Sequence, residues 1–131
     1  MLQKVVYTTV FVTDQSRALD YYTNVLGFEK RVDSPTTDGP RFLTVAVKGQ
    51  DFQLVLWPGP PGQGHPVQGR IPAAYTLETA DCRKAFAALK SRGVKFETEV
   101  LEYPWGCVAV FRDPDGNPLQ LREGRKAPAQ R

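Results

Sequence analysis

One pattern of strand-like and helix-like segments occurs twice in this 131-residue chain. Val10 and Tyr75, Val12 and Leu77, Leu54 and Leu119, and Leu56 and Leu121 are each 65 positions apart, and Gly27 and Gly93 are 66 apart. An internal repeat constrains a fold more than any single motif, because each copy is one supersecondary unit that cannot bury its apolar face alone.

The first copy opens on Val5 to Val12, rich in β-branched and aromatic residues as a strand should be. Asp14 is placed to cap a helix whose apolar stripe is Ala18, Leu19, Tyr22 and Leu26, and Gly27 ends it. Strands are expected over Phe28 to Val32, Phe42 to Val47 and Phe52 to Trp57, the last two joined by a tight Gly-Gln-Asp turn. Residues 58–70 hold four Pro and four Gly and read as a linker. The second copy runs through a strand at Ala73 to Glu78 and a helix with Cys82, Ala85, Phe86 and Leu89 on one stripe, ended by Gly93. Strands at Lys95 to Leu101, Gly106 to Arg112 and Leu119 to Arg122 complete it, with Asp113-Pro-Asp-Gly-Asn as a strong turn signal. Each copy is therefore a βαβββ unit, about 1–57 and 71–123, within one domain over 1–123, and 124–131 is expected to be a disordered tail.

Composition narrows the function classes. Hydrophobic residues at 41% and charged residues at 24% make a globular chain rather than a disordered one. No apolar run reaches the ~18 residues of a membrane helix. The opening Met-Leu-Gln-Lys leads straight into a strand-like segment, with no secretory pattern. Cys82 and Cys107 make neither a disulfide framework nor a CxxC motif, so a reduced, cytoplasmic location is expected. The net charge of +3 has no clustered basic stripe outside the tail, so no nucleic-acid partner is expected.

Strand alternation then sorts the side chains. Val10, Val12, Leu54, Leu56, Leu119 and Leu121 suit the helix-covered side. Tyr7, Thr9, Gln53, Val55, Trp57, Thr76, Glu78 and Gln120 would line the concave side. Aromatic rings with a few neutral polar groups are the make-up of a small-molecule pocket.

Three segments carry a family resemblance: VFVTDQSRALDYYTNVLGFE at 10–29, the Trp105-Gly106 pair, and FRDPDGNPLQLRE at 111–123. With the repeat they cover nearly the whole chain. The sequence resembles the vicinal oxygen chelate superfamily, which includes glyoxalase I, the extradiol dioxygenases, fosfomycin resistance proteins and bleomycin resistance proteins. The fold class this implies is α+β, two βαβββ repeats forming an eight-stranded, strongly curved mixed sheet (an open pseudo-barrel) with helices on the outer face. Small members of the family are usually homodimers, which is the expectation here.

The resemblance also locates the family's metal ligands, typically His or Gln, Glu, His and Glu on four strands. Carried over by residue, they fall on Tyr7, on Val55 or on Gln53 if the strand slips, on Pro72, and on Gln120. None is a histidine or carboxylate, whereas a catalytic divalent ion wants about three strong protein donors. No metal and no cofactor are therefore expected, and no catalytic residue is assigned.

Other candidates have a plain reading beside the chemical one. His65, the only histidine, is a metal ligand or base, or a solvated loop residue. Glu78 and Tyr7 are a proton-transfer pair, or Glu78 simply ends its strand beside water. Trp57, Tyr103 and Trp105 are stacking surfaces or core. Cys107 lacks a visible base and reads as an inert thiol, and Asp113 with Asp115 reads as turn chemistry. The expected ligand-binding set is Tyr7, Thr9, Gln53, Val55, Trp57, Tyr103, Trp105 and Gln120. The expected function is metal-independent binding of a neutral or anionic, apolar or aromatic metabolite or drug. The alternative is a metal-dependent lyase, isomerase or dioxygenase with atypical ligands.

Overall fold

The computed structural model describes residues 1–37, 39–60 and 75–124. The linker residues 61–70 with His65, the strand start with Pro72, Ala73 and Ala74, and the tail 125–131 lie outside the described residues. The chain divides into two compact units, Met1–Gln63 and Gly64–Arg131, each holding one copy of the repeat.

In the first unit β1 (Tyr7–Val12) leads into α1 (Gln15–Asp20), and β2 (Glu29–Ser34), β3 (Phe42–Ala46) and β4 (Gln53–Pro58) follow. In the second, β5 (Tyr75–Glu78) leads into α2 (Cys82–Ser91), then β6 (Leu101–Tyr103), β7 (Gly106–Arg112) and β8 (Pro118–Gly124). The eight strands pair as two four-stranded mixed sheets with the same internal order, β1-β4-β3-β2 and β5-β8-β7-β6. In each, the first strand is parallel to the last and the other pairs are antiparallel.

Both helices start and stop as their sequences dictate. Asp14 accepts a hydrogen bond from the backbone N–H of Arg17, and Asp81 from that of Lys84, each at 3.0 Å. Two otherwise unpaired helix donors are satisfied in this way. Gly27 and Gly93 then turn the chain through positive φ, 85° and 97°, which only glycine adopts without cost.

Alternation explains the cores. Val10, Val12, Leu43, Val45, Leu54 and Leu56 share one face of the first sheet and are buried with Ala18 and Tyr22. Ala109, Phe111, Leu119 and Leu121 do the same in the second, where Phe96 packs between Phe86 and Phe111 at 4.3 and 5.2 Å.

The copies are not in constant register. Leu54 pairs with Thr8 and Leu119 with Tyr75, so β1 and β5 correspond at an offset of 67. The caps Asp14 and Asp81 share that offset, the terminal glycines are 66 apart, and β4 and β8 are 65 apart. One residue is absorbed where the expected first helix departs from α geometry. Tyr21–Val25 form a π-helical turn in which the Leu26 N–H reaches the Tyr21 carbonyl at 3.0 Å. Such a turn is a one-residue insertion. The two-residue drift preserves face parity, so the side chains still sort as expected.

One expected strand is largely absent. Lys95 to Leu101 contributes only the isolated bridge Phe96–Phe111, and β6 begins at Leu101. Glu97 N–H still reaches the Val110 carbonyl at 2.7 Å, but the Val110 N–H is taken at 3.0 Å by the hydroxyl of Thr98. A side chain thus occupies a ladder position.

Candidate functional site

The faces turned away from the helix-side cores carry the candidate residues. In the first sheet, register aligns Tyr7 with Gln53, Thr9 with Val55 and Phe11 with Trp57, with Thr44 opposite Val55. Tyr7 is 46% exposed and meets the Phe42 ring edge-on at 5.7 Å. Thr44 is fully buried: its hydroxyl accepts from the Val32 N–H at 3.1 Å and donates to Gln53 Oε1 at 2.6 Å. This fixes the Gln53 amide, and its N–H donors have no partner among the described residues. Phe42 and Thr44 are not among the residues that the sequence pattern singles out. Their signal was available, since they alternate with Leu43 and Val45 on a strand already read as such.

In the second sheet, Thr76 aligns with Gln120 and Val110, and Glu78 with Arg122, Val108 and Leu101. Gln120 donates to the Thr76 hydroxyl at 3.3 Å. Tyr103 and Trp105 stack in parallel with centroids 5.5 Å apart, and they are 42% and 45% exposed. They are not core residues.

Glu78 is not poised for proton transfer. One carboxylate oxygen accepts from Arg122 at 2.7 Å and the other from the Gly124 N–H at 3.0 Å. The backbone bond to Gly124, then the bond to Arg122, hold its carboxyl below the usual carboxylate range despite some desolvation. A carboxylate so engaged is a weak base.

The cysteines sit on the helix side. The backbone N–H of Cys82 and the thiol of Cys107 both point to Glu123 Oε1, at 2.9 and 3.7 Å. Burial, and then the hydrogen bond with Cys107, push the Cys82 thiol from its ordinary 9.0 up to about 12. In the unfolded chain that thiol ionises near pH 9, while the folded one keeps its proton until about 12. Its contribution to stability is therefore complete below pH 9 and lost as pH rises towards 12. Thermal melts from pH 8 to 11 should show a steeper loss of stability in the wild type than in Cys82→Ala.

The donor set at the family's metal positions does not fit a divalent ion. Val55 has no donor atom and is buried, Gln120 offers a neutral amide, and Tyr7 is a lone phenol. The carbonyl oxygen of Gln53 is already used by Thr44. Pro72, the remaining position, lies outside the described residues, and a proline side chain has no atom that could ligate. Among the described residues no group of three or more His, Cys, Asp or Glu could hold a metal.

Residues 4–121 match the model of the Glyoxalase/Bleomycin resistance protein/Dioxygenase superfamily. The chain belongs to that superfamily. The chain is also similar to TnmS3, an antibiotic binding protein from Streptomyces sp. CB03234. That crystal structure matches with a TM-score of 0.80 at 34% identity, over 95% of this chain and 98% of that one. A superfamily member from Sphaerobacter thermophilus DSM 20745 matches with a TM-score of 0.77 at 37% identity, over 93% and 98%. The uncharacterized protein YurT of Bacillus subtilis (strain 168) is 35% identical over 90% of this chain and 97% of its own length. Among the described residues no helix is long and apolar enough to cross a membrane.

Proposed function

We propose that this superfamily member is a small-molecule binding protein that works without a metal. Its ligand is a neutral or anionic, apolar or aromatic metabolite or drug, held by Tyr7, Thr9, Gln53, Val55, Trp57, Tyr103, Trp105 and Gln120. It acts in the cytoplasm as a homodimer. The observation that carries this reading is the content of the faces away from the cores. At the positions where a lyase or dioxygenase of the superfamily needs imidazoles and carboxylates they bear a phenol at Tyr7, an aliphatic group at Val55 and neutral amides at Gln53 and Gln120. The antibiotic binding protein at 34% identity supports the same class of function. The net charge of +3 favours a neutral or anionic ligand over a cationic drug.

A thermal-shift screen of aromatic antibiotics and aromatic metabolites tests it. A ligand present at 100 times its Kd stabilises the native state by about 2.7 kcal/mol, a shift of several degrees for a domain of this size. The expected result is at least one such ligand, with its shift diminished in Trp57→Ala and Tyr7→Ala. The opposing result is about one tightly bound divalent ion per chain in protein purified without chelators, lost on Tyr7→Phe with Gln120→Ala. That would replace the reading with a metal-dependent lyase, isomerase or dioxygenase.

A further inference from the structure

Edge strand β6 and the turn after it put three large apolar side chains, Leu101, Tyr103 and Trp105, at alternate positions, each 39% to 45% exposed. Edge strands ordinarily carry charge at such positions, because an exposed apolar edge invites aggregation. Here the stripe is completed by a cation. The Arg122 guanidinium carbon lies 5.1 Å from the centre of the Trp105 ring, and the Trp105 ring is stacked on Tyr103.

Two features hold the guanidinium in place. Glu78 bridges Arg122 and the backbone N–H of Gly124 with its two oxygens. Gly124 supplies the room, since a Cβ there would stand 2.9 Å from both Nη1 and Nη2 of Arg122. The row that pairs Tyr103 with Gly106 and Gly106 with Gly124 therefore has no side chain beyond the tyrosine. The carboxylate takes only one of the five donors of the guanidinium, through Nη1, and Nε and Nη2 have no acceptor among the described residues.

We propose that Arg122 is the specificity-determining residue of the binding site, selecting a planar aromatic ring that carries a carboxylate or a similar anion. This deepens the binding reading above and rests on it. The ring lies against the exposed faces and edges of Trp105 and Tyr103, with Leu101 beside them. The anion receives the Nε and Nη2 donors, which form the fork that matches a carboxylate. Glu78 holds the guanidinium over Trp105, so little side-chain freedom is lost on binding. In the first unit the equivalent row is Phe11 paired with Trp57, so the polarity belongs to the second unit alone.

Calorimetric titration with 2-naphthoate and its neutral isostere 2-naphthamide tests the proposal. A charge-assisted hydrogen bond predicts a preference for the acid of about tenfold at low ionic strength. Arg122→Gln should erase that preference by weakening the acid while the amide stays within about twofold. Gly124→Ala, which crowds the guanidinium without altering its charge, should lower the preference too. Equal affinities in the wild type, or a preference unchanged in both variants, overturn the proposal while leaving the binding reading in place. Loss of both probes alike in Arg122→Gln makes the residue merely structural and also overturns it. Failure of both probes, together with no stabilising compound in the thermal screen, overturns the proposal and the binding reading together.

Discussion

Gly106→Ala is expected to leave little folded protein. A Cβ at this position would stand 2.0 Å from the carbonyl oxygen of Glu123 and 3.1 Å from Gly124 Cα. Both obstacles are backbone, in the strand directly paired with β7, so neither can swing aside. The φ of 155° adds conformational strain to the clash. Relief requires the β7–β8 ladder to separate at its end. The cost should exceed about 3 kcal/mol, a large part of the 5–15 kcal/mol that holds an ordinary domain together. Urea denaturation provides the measure, with Gly49→Ala as control. Gly49 also has positive φ, 84°, but its Cβ would meet nothing within 4 Å. The control should lose only about 1 kcal/mol. Equal losses in the two variants would show that the close approach of β7 to β8 is not what requires glycine at 106.

Asp113→Ala should be nearly as damaging, for a different reason. Asp113, 4% exposed, accepts from the backbone N–H groups of Asp115 and Asn117 and from Asn117 Nδ2, all at 2.9 Å. Asn117 is itself 1% exposed, so its donors have no water to turn to. Each buried donor left unpaired costs about 1–3 kcal/mol, giving an expected loss of about 3 kcal/mol or more. Asp113→Asn keeps one carbonyl oxygen and should recover part of it. The denaturation midpoints of the two variants and the wild type should fall in that order. An Asp113→Ala midpoint within error of the wild type would mean that the β7–β8 turn is held by its backbone alone.

The legible parts of the fold were those written in local chemistry. Asp14 and Asp81 cap, Gly27 and Gly93 terminate, and alternation at Val10, Leu54 and Leu119 separates the cores from the opposite faces. What sequence could not give was register. The π-helical turn at Tyr21–Val25 inserts a residue without changing the apolar stripe that marks the helix. The segment after Val94 carries strand-like residues, yet the Thr98 hydroxyl competes for a ladder donor, a choice made only in three dimensions.

The candidate site shows the same division. Tyr7, Thr9, Gln53, Val55, Trp57 and Gln120 were placed on their faces by parity, which survives a two-residue shift. The sequence pattern does not single out Arg122, although it lies two residues beyond Gln120 on the same face. Its significance comes from Glu78, Trp105 and Gly124, none of which is near it in the pattern that identified the strand. In the sequence Glu78 reads equally as an acid or base, and only its partners show it to be a brace.

Calorimetric titration of the strongest stabilising ligand into chelator-treated protein tests the central claim most directly, with the same protein resupplied with Mn²⁺, Ni²⁺ or Zn²⁺ beside it. Binding of one ligand per chain, with the same Kd in every sample and the ligand recovered unchanged, is the predicted result. Binding or turnover that appears only when a metal is restored would contradict it.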